Sequence, residues 1–129
     1  MTKDTPCFPE YFPKGCPPSE AEEKEICVFR YCKGVEVTSD DFLSYYQLDS
    51  VRYCNNINAY GLSVLNSKDE SLKGLKLPAI KKRFKSIASG ITYKYTGVIK
   101  PTPNNNNPSH CTWWLYKNTE PHTYFVICG

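Results

Sequence analysis

The chain has 129 residues, 40% of them apolar and 14% aromatic, and a net charge of +3. That is the size of one domain, long enough to bury roughly two-thirds of the surface its unfolded form exposes, and too apolar for a disordered chain. No stretch approaches the ~20 apolar residues of a membrane span, and the opening "MTKDTPCFPEYFPKGCPP" has no apolar run of the signal-peptide kind.

A cytoplasmic protein without membrane contact is therefore expected, its seven cysteines reduced. Residues 1–18 carry Pro6, Pro9, Pro13, Pro17 and Pro18, which remove backbone donors; they predict an extended arm, pinned through Phe8, Tyr11 and Phe12. Residues 19–129 read as a single domain. In "SEAEEKE", Ser19 and Glu22 have capping-box spacing for at most a turn or two of helix. "ICVFRYC" (26–32) is β-branched and aromatic on both faces, as in a central strand, with Arg30 interrupting the run. Thr38 as a cap, with Asp40 and Asp41 in the first turn, predicts a helix over 39–46. Val51, Cys54 and Ile57 at three-residue spacing predict another over 50–59, stopped by Gly61.

"LSVL" (62–65) reads as a short strand. Ser67 and Glu70 then cap a two-turn helix carrying Leu72 and Leu75. Pro78 suits a first helical position, and Ile80, Phe84 and Ile87 share one side of a segment ending near Gly90. "ITYKYTGVIK" alternates Ile91, Tyr93 and Tyr95 with Thr92, Lys94 and Thr96, the pattern of a strand with one wetter face. "PTPNNNNPS" is a polar loop. Two aromatic, β-branched runs, 110–116 and 123–128, flank the turn residues "KNTEPH" and predict a hairpin. The order implies an α+β domain: a largely antiparallel sheet with short helices packed on it and a C-terminal β-hairpin.

Alternation puts Trp113 and Trp114 on opposite faces of their strand. One faces the core, and the other covers a helix, the arm or a partner, so Trp113, Trp114 and Tyr116 are candidate partner-binding residues. His110 titrates near neutral pH beside a loop and, with Lys100 and Thr112, could act as general acid or base while the lysine stabilises a developing anion; the alternative is a hydrogen-bonded structural histidine. Lys81, Lys82, Arg83 and Lys85 of "KKRFK" are candidate nucleic-acid contacts or else a solvated helix face. Cysteine pairs such as Cys27 with Cys32 and Cys7 with Cys16 lack the two-residue spacing of a zinc knuckle. Cys27, Cys54, Cys111 and Cys128 fall in predicted core elements, so no metal or other cofactor is expected. Residues 1–50 hold five basic and ten acidic groups, net −5, and residues 51–129 eleven and three, net +8. Such a split suits an acidic partner or phosphate if the halves occupy different faces.

"WWLYKNTEPHTYF" resembles the last hairpin of barnase-type ribonucleases, and the resemblance implies His122 as general acid with an upstream glutamate base. Residues 84–116 contain no acidic residue, so that mechanism lacks its base, whereas a His-pair or Lys-His ribonuclease of the wider toxin type would not need one. Arg30 and Ser63 resemble the cofactor-gripping positions of an ADP-ribosyltransferase-like fold, whose late glutamate would have to be Glu120, in a predicted turn. Taken together, "VFRYCK", "DDFLSYY", "AYGLSVL", "GVIK" and "PSHCTWW" resemble a family of small, stand-alone bacterial proteins, which implies a bacterial, cytoplasmic setting. The expected function is that of a non-catalytic interaction protein, partner of a larger assembly of the toxin-antitoxin or defence kind; the alternative is a metal-independent ribonuclease using His110 or His122 with Lys100.

Overall fold

The computed structural model describes residues 6–105 and 107–129; Met1 to Thr5 of the predicted arm and Asn106 of the polar loop lie outside the described residues. Among the described residues, six strands form one antiparallel sheet in the order β4-β5-β2-β1-β3-β6. They are β1 Cys27–Cys32, β2 Leu62–Leu65, β3 Ser86–Ile91, β4 Gly97–Pro101, β5 His110–Leu115 and β6 Val126–Ile127. Four short helices, α1 Tyr45–Leu48, α2 Ser50–Tyr53, α3 Lys68–Leu75 and α4 Pro78–Lys81, complete an α+β fold with 3-10 turns at Ser39–Phe42, Ile57–Tyr60 and Pro121–Thr123. None of these helices is long and apolar enough to cross a membrane.

Residues opposite one another across antiparallel strands share a face. Pairing of Leu62 with Trp113, Val64 with Cys111, and Ile99 with Trp113 therefore gathers the core on one face, joined by Val28 and Ala88. Phe125 closes it, stacked on Trp113 at 5.8 Å and edge-on to Phe42 at 5.0 Å. The other face carries Tyr31, whose hydroxyl donates to Ser71 O of α3 at 3.0 Å, and Trp114, whose Nε1 donates to Ile57 O at 3.1 Å. Gly97, at φ 152°, opens β4 where a Cβ would sit 2.1 Å from Trp114 O, so only glycine fits.

β1 pairs with β3 at six positions but with β2 at Phe29 and Leu65 alone. Beyond that pair the sheet splits, and Arg30 fills the gap. Its Nη1 donates to Ser63 O at 2.7 Å, its Nε to Asp41 O at 2.6 Å and its Nη2 to Leu43 O at 3.2 Å. This explains why the helix expected over 39–46 breaks in two: the carbonyls of Asp41 and Leu43 accept from Arg30, so a 3-10 turn ends at Phe42 and α1 starts afresh behind Ser44. The helix expected over 50–59 breaks as well. Asn56 Oδ1 accepts from Asn58 N and starts a new turn, leaving Val51 86% exposed and Cys54 exposed.

The helical reading of 78–89 is corrected further: α4 is one turn, and Ser86–Ile91 is strand β3, because the open edge of β1 takes it up. Residues 92–96 form a turn instead of a strand, with Thr96 Oγ1 bonded to both Tyr93 N and Tyr93 O. "SEAEEKE" forms no helix; Glu22 bridges Ile99 instead, covering the free edge of β4. Both C-terminal strands form, but not as a pair with each other: β5 lies between β4 and β2, and β6 pairs with β3. Cys27 is exposed like Cys54, and Cys128 is half-buried, so of the four cysteines expected in the core only Cys111 is buried there. The arm is pinned as expected, through Phe8 against Tyr116 at 4.9 Å, Tyr11 against Tyr46 at 5.3 Å and Phe12 against Tyr60 at 5.8 Å.

Candidate functional site

The stretch from α3 to the start of β3 builds one basic face. Ser67 caps α3 by accepting from Glu70 N at 3.2 Å. The Glu70 carboxylate does not return to the cap; it accepts from Ser109 N and from Ser109 Oγ at 2.8 Å, tying α3 to the start of β5. The buried residues of α3 are Ser71 and Gly74, so it packs closely on Tyr31 with small side chains and leaves Leu72 and Leu75 towards a groove. That groove, of about 510 Å³, has Leu72, Leu75 and Phe84 as its floor and Lys76, Lys81 and Lys85 as its rim. Lys81, Lys82, Arg83 and Lys85 are all exposed, and none pairs with a carboxylate among the described residues.

Phe84 also forms a wall of a second concavity on its other side. There Arg83 lies over the Phe84 ring at 4.9 Å, and Tyr31 stacks on the same ring at 5.8 Å. This cleft, of about 130 Å³, opens where β1 and β2 part, and is lined by Arg30, Lys33, Ser63 and Arg83, with Asp40 and Asp41 also on its wall. The Arg30 guanidinium end sits among protein atoms, and burial lowers its pKa from the ordinary value, opposed by Tyr45, Cys32 and Asp41 nearby. The buried Asp41 carboxylate is taken by Lys33 N, Thr38 N and Thr38 Oγ1. Arg30 and Ser63, linked in the sequence by resemblance, do meet, but through a backbone carbonyl, while Glu120 lines a different cavity, beside Pro121 and His122.

The structure brings His110, Lys100 and Thr112 together on one face of β4 and β5, Lys100 opposite Thr112. His110 Nδ1 lies 3.0 Å from Thr102 O and 2.8 Å from Thr102 Oγ1, which in turn meets Thr112 Oγ1 at 2.9 Å. A carbonyl only accepts, so in the tautomer that bonds Thr102 O the proton sits on Nδ1 and Nε2 is the basic nitrogen. Burial lowers the His110 pKa, partly offset by the Thr102 bond, which keeps the ring neutral at physiological pH. Thr112 is buried and can only position its neighbours.

His122 lies elsewhere, in the 3-10 turn Pro121–Thr123, on a cavity of about 370 Å³ shared with Glu10, Lys117 and the arm. Trp113 and Trp114 are fully buried within this chain and so offer no partner surface, a correction to the sequence reading; both faces of β5 are covered, one by Phe125 and the other by Ile57–Tyr60. Tyr116 is half-buried, donating to Glu23 Oε2 at 2.6 Å. The residues that sequence reasoning missed as a site are Leu72 and Leu75 of the groove and Lys33 of the cleft. Three exposed or half-exposed apolar side chains beside unpaired lysines were the available signal.

No group of three or more His, Cys, Asp or Glu side chains placed to hold a metal occurs among the described residues. The class defined by fold and surface is thus a small α+β protein with a basic, apolar-floored face. Comparison with protein-family models, curated proteins and solved structures found no match to this chain.

Proposed function

We propose that this chain is a non-catalytic interaction protein that captures an acidic, amphipathic segment of a protein partner in the groove between α3 and Phe84. The observation that carries the reading is the pairing of an apolar floor, Leu72, Leu75 and Phe84, with a lysine rim that has no carboxylate partner among the described residues. Apolar anchors with flanking acids are what such a groove selects: burial of the anchors supplies affinity, and the rim supplies orientation and on-rate. The setting we infer, a bacterial cytoplasm beside a larger assembly of the toxin-antitoxin or defence kind, is supported by the motif resemblance alone. Fluorescence anisotropy with a labelled peptide bearing Leu at i and i+4 and Glu between them tests the reading. Saturable binding that weakens with salt and is lost in Leu72→Asp is expected; equal binding of a peptide with Lys in place of Glu would overturn it. Single-stranded RNA competing through Lys81, Lys82, Arg83 and Lys85 would move the assignment to nucleic acid.

A second reading, metal-independent cleavage of RNA, is supported by His110: its tether to Thr102 leaves Nε2 as a base on the face that carries Lys100. RNA cleavage in the presence of a chelator, abolished by His110→Ala and His122→Ala together, would establish it in place of the first.

A further inference from the structure

Arg30 makes no ion pair among the described residues, although the Asp41 carboxylate lies near it. The three hydrogen bonds of Arg30 go to the neutral carbonyls of Asp41, Leu43 and Ser63. A guanidinium has five N–H donors, so two remain without an acceptor among the described residues. Asp41 is the acid whose backbone Arg30 reaches, yet its carboxylate oxygens accept from Lys33 N, Thr38 N and Thr38 Oγ1 and form no ion pair with Arg30 among the described residues. A half-buried guanidinium whose hydrogen bonds reach only neutral carbonyls keeps donors that an anion can complete.

The cleft beside it supplies the rest of a site. Lys33 and Arg83, both exposed, add two cations to its wall, and Ser44 Oγ, which accepts from Gln47 N, keeps its own hydrogen to donate. Asp40, on the same wall and exposed, is the one free carboxylate there and can swing into solvent. At about 130 Å³ the cleft is well below the roughly 300–1,000 Å³ of pockets for drug-sized ligands, which suits a head group and not a whole nucleotide. Three cations outnumber the two carboxylates of Asp40 and Asp41 on the wall, which favours an oxyanion, and the planar fork of arginine matches two of its oxygens.

We propose that the cleft between β1 and β2 binds a phosphate group, held by the two free N–H donors of Arg30 and flanked by Lys33 and Arg83. The site is independent of the peptide groove, although Phe84 separates the two. Its ligand is either free phosphate or the phosphomonoester end of a small molecule, whose body would lie against Tyr45 at the cleft mouth.

Calorimetric titration and thermal unfolding with inorganic phosphate and with phenyl phosphate, against sodium chloride at matched ionic strength, test this. Saturable binding of phosphate is expected, weakened about tenfold by Lys33→Ala and by Arg83→Ala, each corresponding to one lost charge-assisted contact. Both residues are exposed, so the variants should unfold in chloride at the temperature of the parent. Tighter binding of phenyl phosphate identifies a phosphomonoester as ligand, and equal binding identifies free phosphate. Replacing Lys76, Lys81 and Lys85 by Gln should leave phosphate binding unchanged while weakening the peptide, so either reading can fail alone. A response no greater than that of chloride, or one untouched by both alanine variants, would overturn the proposal.

Discussion

His110 is held by its Nδ1 to Thr102 and depressed in pKa chiefly by burial, and the consequence is a pH dependence of stability with a definite sign. Above about pH 6.5, the value of an unperturbed histidine, the ring is neutral in both states and its contribution is complete. As pH falls through that value the unfolded chain takes up its proton first, so stability falls until the lowered folded pKa is passed. His110→Gln can still donate to Thr102 O but cannot titrate. Urea unfolding at stepped pH values from neutral to mildly acidic should therefore show a shallower acid-side loss in the variant than in the parent, and an identical slope would show that burial does not perturb this ring. At this scale the sequence was legible where alternation governs: Trp113 and Trp114 do face opposite ways. Alternation is silent on what lies above each face, which is why two buried indoles read as a partner surface. The Trp113 Nε1 donor, buried with no acceptor among the described residues, was equally beyond sequence reasoning, since the packing around the ring, Phe125 included, is non-local.

Strand β3 shows the same limit for whole elements. Ile80, Phe84 and Ile87 fit a helical period over a short window, and what overrides it is non-local: six paired positions along β1, reached from 54 or more residues away. "SIASGI" serves there because its residues on the core face are small. Ala88 and Gly90 leave room for the Phe125 ring, and a Cβ at Gly90 would lie 2.3 Å from Phe125 Cδ1. Phe125 cannot retreat, being wedged between Phe42 and Trp113. Gly90→Ala should thus destabilise by about 1–3 kcal/mol, the usual range for overpacking a core, and should change tryptophan emission because Phe125 stacks on Trp113. Chemical denaturation followed by fluorescence measures both, and an unchanged midpoint would mean that the ring is not confined. Elements with local causes were readable: β1, β2, β5 and α3, whose Ser67 cap is in the sequence. Those that broke did so through Arg30 and Asn56, side chains that take or offer backbone hydrogen bonds and leave no trace in hydrophobic periodicity.

Across the whole molecule, part of the charge split seen in the sequence becomes a separation in space along β1, while Asp40 and Asp41 stay beside Lys33 and Arg83. Glu20, Glu22, Glu23 and Glu25 occupy the stretch that bridges β4 and then enters β1 at Cys27, tempered by Lys24 and Lys94. Lys33, Lys81, Lys82, Arg83 and Lys85 gather at the other end, where Cys32 pairs with Ser86. The six residues of β1 span about 20 Å at ~3.3 Å each, which exceeds the roughly 8 Å Debye length at physiological ionic strength, so the two ends do not cancel within one molecule. At lower salt each end can reach a neighbour, and the acidic stretch of one copy is a weak ligand for the basic groove of the next. Such a contact joins unlike surfaces and, with nothing to close it into a ring, extends head to tail. Sedimentation velocity should show a coefficient that rises with protein concentration at about 0.01 M ionic strength, where the Debye length is about 30 Å, and no such rise at about 0.15 M. Lys81→Gln with Lys82→Gln should abolish the low-salt rise while leaving thermal stability unchanged, because both side chains are exposed. A coefficient independent of concentration at low salt would mean that the acidic stretch and the basic face do not recognise each other, and would weaken the case that this face selects acidic segments at all.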